Sequence, residues 1–167
     1  LAHFYNNIDL ASVDRFVQFC LRTQGLLAWS GVGKSGYVAE KISATLASTG
    51  TRAIYISPVN FLHGDLGILR EEDTLVLISK SGETNELIDL IPFARKKGAK
   101  VLSIVSNPKA KMASLSDHFV VLPLEGELCP YDLAPTTSTV LQLLFGDLIS
   151  VTLMGARGFT RDQYALN

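Results

Sequence analysis

The chain has 167 residues, enough for one domain with a substantial core. Hydrophobic residues make up 47% and charged residues 19%, which excludes a disordered chain. A formal net charge of −1 lacks the basic excess that a nucleic-acid surface requires. The two cysteines, Cys20 and Cys129, form no CxxC or metal-ligand spacing and fit a reducing, cytoplasmic setting. No apolar run approaches the ~20 residues of a membrane span, and no signal-peptide pattern is present.

Along the chain, Ile8 to Thr23 carries apolar side chains at Val13, Phe16, Val17, Cys20 and Leu21, a helical period that stops before Gly25. Leu26 to Trp29 is a first short strand, running into Ser30-Gly31-Val32-Gly33-Lys34-Ser35-Gly36 and a helix closed by Gly50. Ala53 to Ile56 is a second strand, stopped by Pro58, and Phe61 to Leu66 is a connector with room for one helical turn. The third strand, Thr74 to Ile78, leads into a helix reaching about Lys97, which Pro92 should kink or shorten. Val101 to Val105 is a fourth strand, followed by a short helix from Ala110 to Leu115 and a fifth strand, His118 to Leu122. A loop from Pro123 to Pro135 precedes a long helix, Thr136 to about Arg157, ending at Gly158.

Strands that alternate with helices and are themselves unbroken apolar runs indicate a parallel sheet covered on both faces. The expectation is an α/β three-layer αβα sandwich with a doubly wound five-stranded sheet in the flavodoxin-like order 2-1-3-4-5, in one domain spanning residues 1–167. In that order the loops after strands one and three diverge and form the ligand crevice. Those loops are Gly31–Ser35 and Ser79–Thr84.

Ser79-Lys80-Ser81-Gly82-Glu83-Thr84 joins a buried strand to a helix N-terminus, where orphan N–H groups and the positive dipole end favour an anion. Ser79, Ser81 and Thr84 add hydroxyl donors, and Gly82 permits close backbone approach. The reading is a phosphate cradle; a plain capped turn explains the same residues less well once both loops share one crevice. Gly31-Val32-Gly33-Lys34-Ser35-Gly36 is literally GxGxxG, but Ile54-Tyr55-Ile56-Ser57-Pro58 lacks the acidic residue a dinucleotide ribose requires. A P-loop fails too, because its first glycine falls on Ala28. Lys34 is therefore read as a cation near a phosphate or a developing enolate oxygen. His3, His63 and His118 share no zinc spacing; His118 reads as structural and His63 is open to either role. Glu86, in a helix first turn, and Glu127, before Cys129-Pro130, are candidates for proton transfer.

Taken together, Gly33-Lys34-Ser35-Gly36, His63-Gly64-Asp65-Leu66-Gly67, Ser79 to Glu86, Glu127-Leu128-Cys129-Pro130 and Leu133 to Thr139 resemble sugar isomerase (SIS) domains. Within those, the set is similar to the arabinose-5-phosphate isomerases, and Ala156 to Thr160 and Tyr164 to Asn167 resemble the end of that domain. The resemblance implies interconversion of D-arabinose 5-phosphate and D-ribulose 5-phosphate without metal or organic cofactor, feeding the eight-carbon sugar of lipopolysaccharide. It implies a homotetramer with sites built between subunits.

The family's lysine, histidine and two glutamates fall on Lys34, His63, Glu86 and Glu127. Phosphate contacts fall on Gly33, Ser35, Ser79, Ser81, Gly82 and Thr84, with Thr136, Thr137 and Ser138 closing the site from the other side. The family pattern places a further histidine directly after Asn167 and two cystathionine-β-synthase-type regulatory domains beyond it, neither of which this sequence contains. Lys80 stands where many relatives have a small polar residue and adds a charge beside the cradle. A non-catalytic sugar-phosphate sensor would keep the cradle without needing Lys34, Glu86 and Glu127.

Overall fold

The computed structural model describes residues 1–166; Asn167, the last residue of the Tyr164–Asn167 segment, lies outside the described residues. Five strands, β1 Leu27–Gly31, β2 Ala53–Tyr55, β3 Thr74–Ile78, β4 Lys100–Val105 and β5 His118–Val121, pair in parallel in the order β2-β1-β3-β4-β5. The helices are α1 Ala2–Asn7, α2 Leu10–Arg22, α3 Lys34–Ser48, α4 Pro58–Leu62, α5 Asn85–Ile88, α6 Leu90–Lys96, α7 Lys111–Leu115, α8 Thr137–Ala156 and α9 Arg161–Tyr164. A 3₁₀ turn covers Asp65–Ile68. Order, direction and layering are those expected from the sequence.

The strands alternate faces, so each apolar run feeds two cores. Leu27, Trp29, Val76, Ile78, Leu102 and Ile104 face α2, α3 and α8, where they meet Phe16, Ile42, Leu46, Phe145 and Ile149. Ala28, Leu75, Leu77, Val101 and Val105 face the other side and meet Phe61, Leu87, Ile91 and Met112. His118 is structural: its Nε2 lies 2.8 Å from the Ser12 carbonyl oxygen and its ring stacks on Phe19, tying α2 to β5. Buried Asp73 accepts from Leu26 N at 2.6 Å and Arg70 N at 2.8 Å, fixing the start of β3 beside that of β1.

Three features refine or differ from the sequence expectation. The N-terminal helical period is preceded by a separate helix α1, because Asp9 leaves the helix and caps α2 through Ala11 N and Ser12 N. The helix after β3 is interrupted at Asp89, one turn before Pro92, whose missing N–H cannot bond the Ile88 carbonyl. Asp89 keeps α-helical dihedrals, so the chain direction is preserved.

The third difference concerns α8. Counting unbroken apolar runs missed that this 20-residue helix, which contains an 18-residue stretch of mean hydropathy 1.6, has the length and composition of a membrane span. Its packing identifies it as a core helix: Leu141, Phe145, Ile149 and Leu153 are each at most 2% exposed against the sheet and neighbouring helices.

Candidate functional site

Gly31 and Ile78 are register partners, so the turns leaving β1 and β3 start side by side at the carboxyl edge of the sheet. The first turn is tight for a packing reason. A Cβ on Gly36 would stand 2.7 Å from the Gly31 oxygen and 3.0 Å from Tyr55 Oη, so α3 leaves β1 closely enough that only glycine fits. The GxGxxG spacing is thus satisfied by strand–helix packing. Lys34 opens α3 with its side chain exposed, and Ser35 is half-buried.

In the second turn, Ser79 is buried, and its Oγ accepts from Gly82 N at 3.0 Å. The same oxygen lies 2.9 Å from Thr84 Oγ1 and 3.4 Å from Ser81 Oγ. Ser81 Oγ in turn accepts from Glu83 N at 3.2 Å. Ser79, Ser81 and Thr84 therefore form one hydroxyl cluster at the mouth of the turn. The first turn of α5 follows directly, with Leu87 N bonded back to the Thr84 carbonyl oxygen at 3.1 Å.

Gly82 has a packing role beside the close ligand approach expected of it. Its φ is +66°, and a Cβ there would meet Ala110 Cβ at 2.4 Å and Val105 Cγ1 at 2.9 Å. Glycine is needed for the left-handed turn and for packing against β4 and the start of α7. Glu83 reinforces that contact by accepting from Lys111 N at 2.7 Å.

The loop after β5 reaches the same place through Glu127. Its side chain is fully buried. Oε2 accepts from Thr136 N at 2.8 Å, Thr136 Oγ1 at 3.2 Å and Ser138 N at 3.0 Å, while Oε1 stands 2.9 Å from Lys80 Nζ. Burial alone would raise this carboxyl's pKa; donors from Ser138 and Thr136 and the Lys80 ammonium outweigh it and hold the pKa at about 2. Asp132, at a φ of 53°, shapes the loop by accepting from Glu127 N at 2.6 Å.

The N-terminus of α8 is therefore already occupied by an anion from its own chain. Thr136 and Ser138, whose hydroxyls were expected to close a phosphate site, bond to Glu127 through their amides and, for Thr136, its hydroxyl as well, and Ser138 is only 2% exposed. The hydroxyls of the β3 turn make no bond to Glu127. Lys34, His63 and Glu86 are exposed, and their side chains form no hydrogen bond or ion pair with another described residue. The fold brings their elements to the carboxyl edge of the sheet without joining them.

A cavity of about 480 Å³ flanks the His63 connector, lined by Tyr55, Ser57, Asn60 and Asp65, and holds none of the cradle hydroxyls. Among the described residues no group of His, Cys, Asp and Glu is arranged to hold a metal ion. Two residues that sequence reasoning passed over matter most here: Lys80, noted only as an extra charge, and Asp132. The Lys80 contact carries no local sequence signal, because it joins segments far apart in the chain; the Asp132 contact lies within the loop, five residues from Glu127.

Comparison with known proteins agrees with this geometry. A family model described as the SIS domain matches residues 21–151. An uncharacterized protein of Chlamydia pneumoniae is 46% identical over 98% of this chain and 50% of its own length. An arabinose 5-phosphate isomerase, KpsF, of Escherichia coli strain CFT073 is 38% identical over 99% of this chain and 50% of its own. A solved structure of an E. coli CFT073 protein in complex with arabinose 5-phosphate superposes with a TM-score of 0.89 at 32% identity, covering 99% of this chain and 93% of that one. The chain spans about half the length of the curated relatives it matches. With the family model covering most of its length, the chain belongs to the SIS domain family.

Proposed function

We propose that this chain is the isomerase domain of an arabinose-5-phosphate isomerase, interconverting D-arabinose 5-phosphate and D-ribulose 5-phosphate and feeding the eight-carbon sugar of lipopolysaccharide. The observation that carries the reading is the Ser79–Ser81–Thr84 hydroxyl cluster beside the β1 turn, with a buried carboxylate tied to the residue between its two serines. Relatives named arabinose 5-phosphate isomerase and a neighbour solved with arabinose 5-phosphate supply the substrate class.

In the proposed reaction the cradle holds the phosphate through hydroxyl and amide donors. Glu127 takes the proton from C2 of the open-chain aldose, the C–H electrons form the C1–C2 double bond, and the carbonyl oxygen becomes an enediolate oxygen. Lys34 stabilises that oxygen, and Glu86 or His63 passes the hydroxyl proton from O2 to O1. Glu127 returns its proton to C1, giving the ketose. A carboxylate with a pKa of about 2 is ionised at neutral pH but weakly basic, so at least one of its partners must let go before it accepts a proton.

The cradle is open, as expected of a site completed by a second subunit. Self-association as a tetramer is supported by exposed apolar side chains such as Leu10, Tyr37 and Val151, 74%, 75% and 65% exposed. A second reading, a sugar-phosphate sensor, draws on the engagement of Glu127, since a binding domain would need that carboxylate only as a helix cap. Incubating the protein with D-arabinose 5-phosphate and following ketose formation decides between them. Turnover abolished by Glu127→Gln supports the isomerase; thermal stabilisation by the sugar phosphate with no ketose formed supports the sensor.

A further inference from the structure

Lys80 lies between the cradle serines in sequence, and its backbone belongs to the same turn: its carbonyl oxygen accepts from Ser106 N at 2.9 Å, locking it to the end of β4. Its ammonium reaches 2.9 Å from Glu127 Oε1, across from the α8 donors that hold Oε2. The lysine is 37% exposed and the carboxylate it touches is fully buried, so the cation spans the boundary between solvent and the buried acid. We infer that Lys80 is a positioning residue for the isomerisation: it mechanically joins the phosphate cradle to the proton-transfer carboxylate by holding Glu127 Oε1. The inference rests on the reading of Glu127 as the base.

Oε2 is held by three donors from the start of α8, and Lys80 is the group that restrains Oε1. The charged surroundings of Glu127 are few. Lys80 faces it from the cradle, the α8 N-terminus supplies its positive dipole end, and Asp132 of its own loop accepts its N–H. Lys80 is thus the one side-chain cation ion-paired with it among the described residues. A dianionic phosphate arriving at Ser79 and Ser81 competes for that ammonium. Phosphate binding then loosens Oε1 and makes Glu127 more basic at the moment a substrate is present.

The test compares the wild type, Lys80→Met and Lys80→Arg by two readouts. The first is the pH titration of the Glu127 carboxyl carbon by NMR with 13C-labelled glutamate, assigned by its disappearance in Glu127→Gln. The second is the pH dependence of kcat and KM for D-arabinose 5-phosphate.

In Lys80→Met the Glu127 midpoint should rise by about 1–3 pH units, as expected when an adjacent opposite charge is removed. The acidic limb of kcat/KM, which reports the free enzyme, should follow it, and Lys80→Arg should restore both. An unmoved carboxyl midpoint in Lys80→Met overturns the inference. A midpoint that moves while the kcat/KM limb stays put leaves the Lys80–Glu127 pairing intact but removes Glu127 as the base, which overturns the reading beneath it.

Discussion

Replacing Glu127 by Gln tests whether its carboxylate is the built-in anion of α8. The side chain keeps one oxygen to accept from Thr136 N and Ser138 N, but its NH₂ then faces the Lys80 ammonium, and the negative charge at the helix N-terminus is lost. Moving a carboxyl from its ordinary 4.5 to about 2 corresponds to about 3 kcal/mol of folding stability, at about 1.4 kcal/mol per tenfold change in proton affinity. That figure is an upper limit, because Lys80 is 37% exposed and solvent screens its share.

The sign follows from the depressed folded value. The stabilisation is complete above the unfolded pKa of 4.5 and disappears as pH falls toward about 2. Urea unfolding of wild type and Glu127→Gln should therefore differ by up to about 3 kcal/mol at pH 7 and by nearly as much at pH 5. Near pH 3.5 the difference should shrink by about 1 kcal/mol. A variant within about 0.5 kcal/mol of wild type at pH 7, or a difference that does not change down to pH 3.5, would refute the capping argument.

Ser81→Ala removes a cradle hydroxyl that is exposed and bonded only within the turn, so stability should hold within about 1 kcal/mol while the Kd for D-arabinose 5-phosphate rises about tenfold or more by calorimetry. Gly82→Ala places a Cβ 2.4 Å from Ala110 Cβ at a φ of +66°, and chemical denaturation should show a loss of about 2–4 kcal/mol. The two thiols should separate cleanly under a thiol reagent at pH 8. Burial pushes Cys20 up to about 12, whereas backbone N–H groups of Ala134, Tyr131 and Leu133 pull Cys129 below its usual value, so the native protein should label at Cys129 alone and at both after unfolding.

What could be read from the chain before its structure divides along a physical line. Strand order and the placing of the cradle follow from local pattern: Thr74 to Ile78 can only be a strand buried on both faces, and the hydroxyl turn at its carboxyl end has nowhere to point but into the crevice. The role of Gly82 was half legible, since a glycine in a turn announces positive φ but not that Val105 and Ala110 crowd it. The state of Glu127 was illegible for a different reason. A glutamate in a loop reads as solvated, and nothing near position 127 says that Lys80 and the start of α8 converge on it from two other segments. Charge is the deciding quantity: a buried carboxylate is tolerated only where donors and a cation surround it, so its burial is a property of the assembled turn, loop and helix together. On the proposed reading, a sugar phosphate held by Ser79 and Ser81 sits on the turn that carries Lys80, which would make the residue between the two serines the place where ligand binding and the acid's ionisation meet.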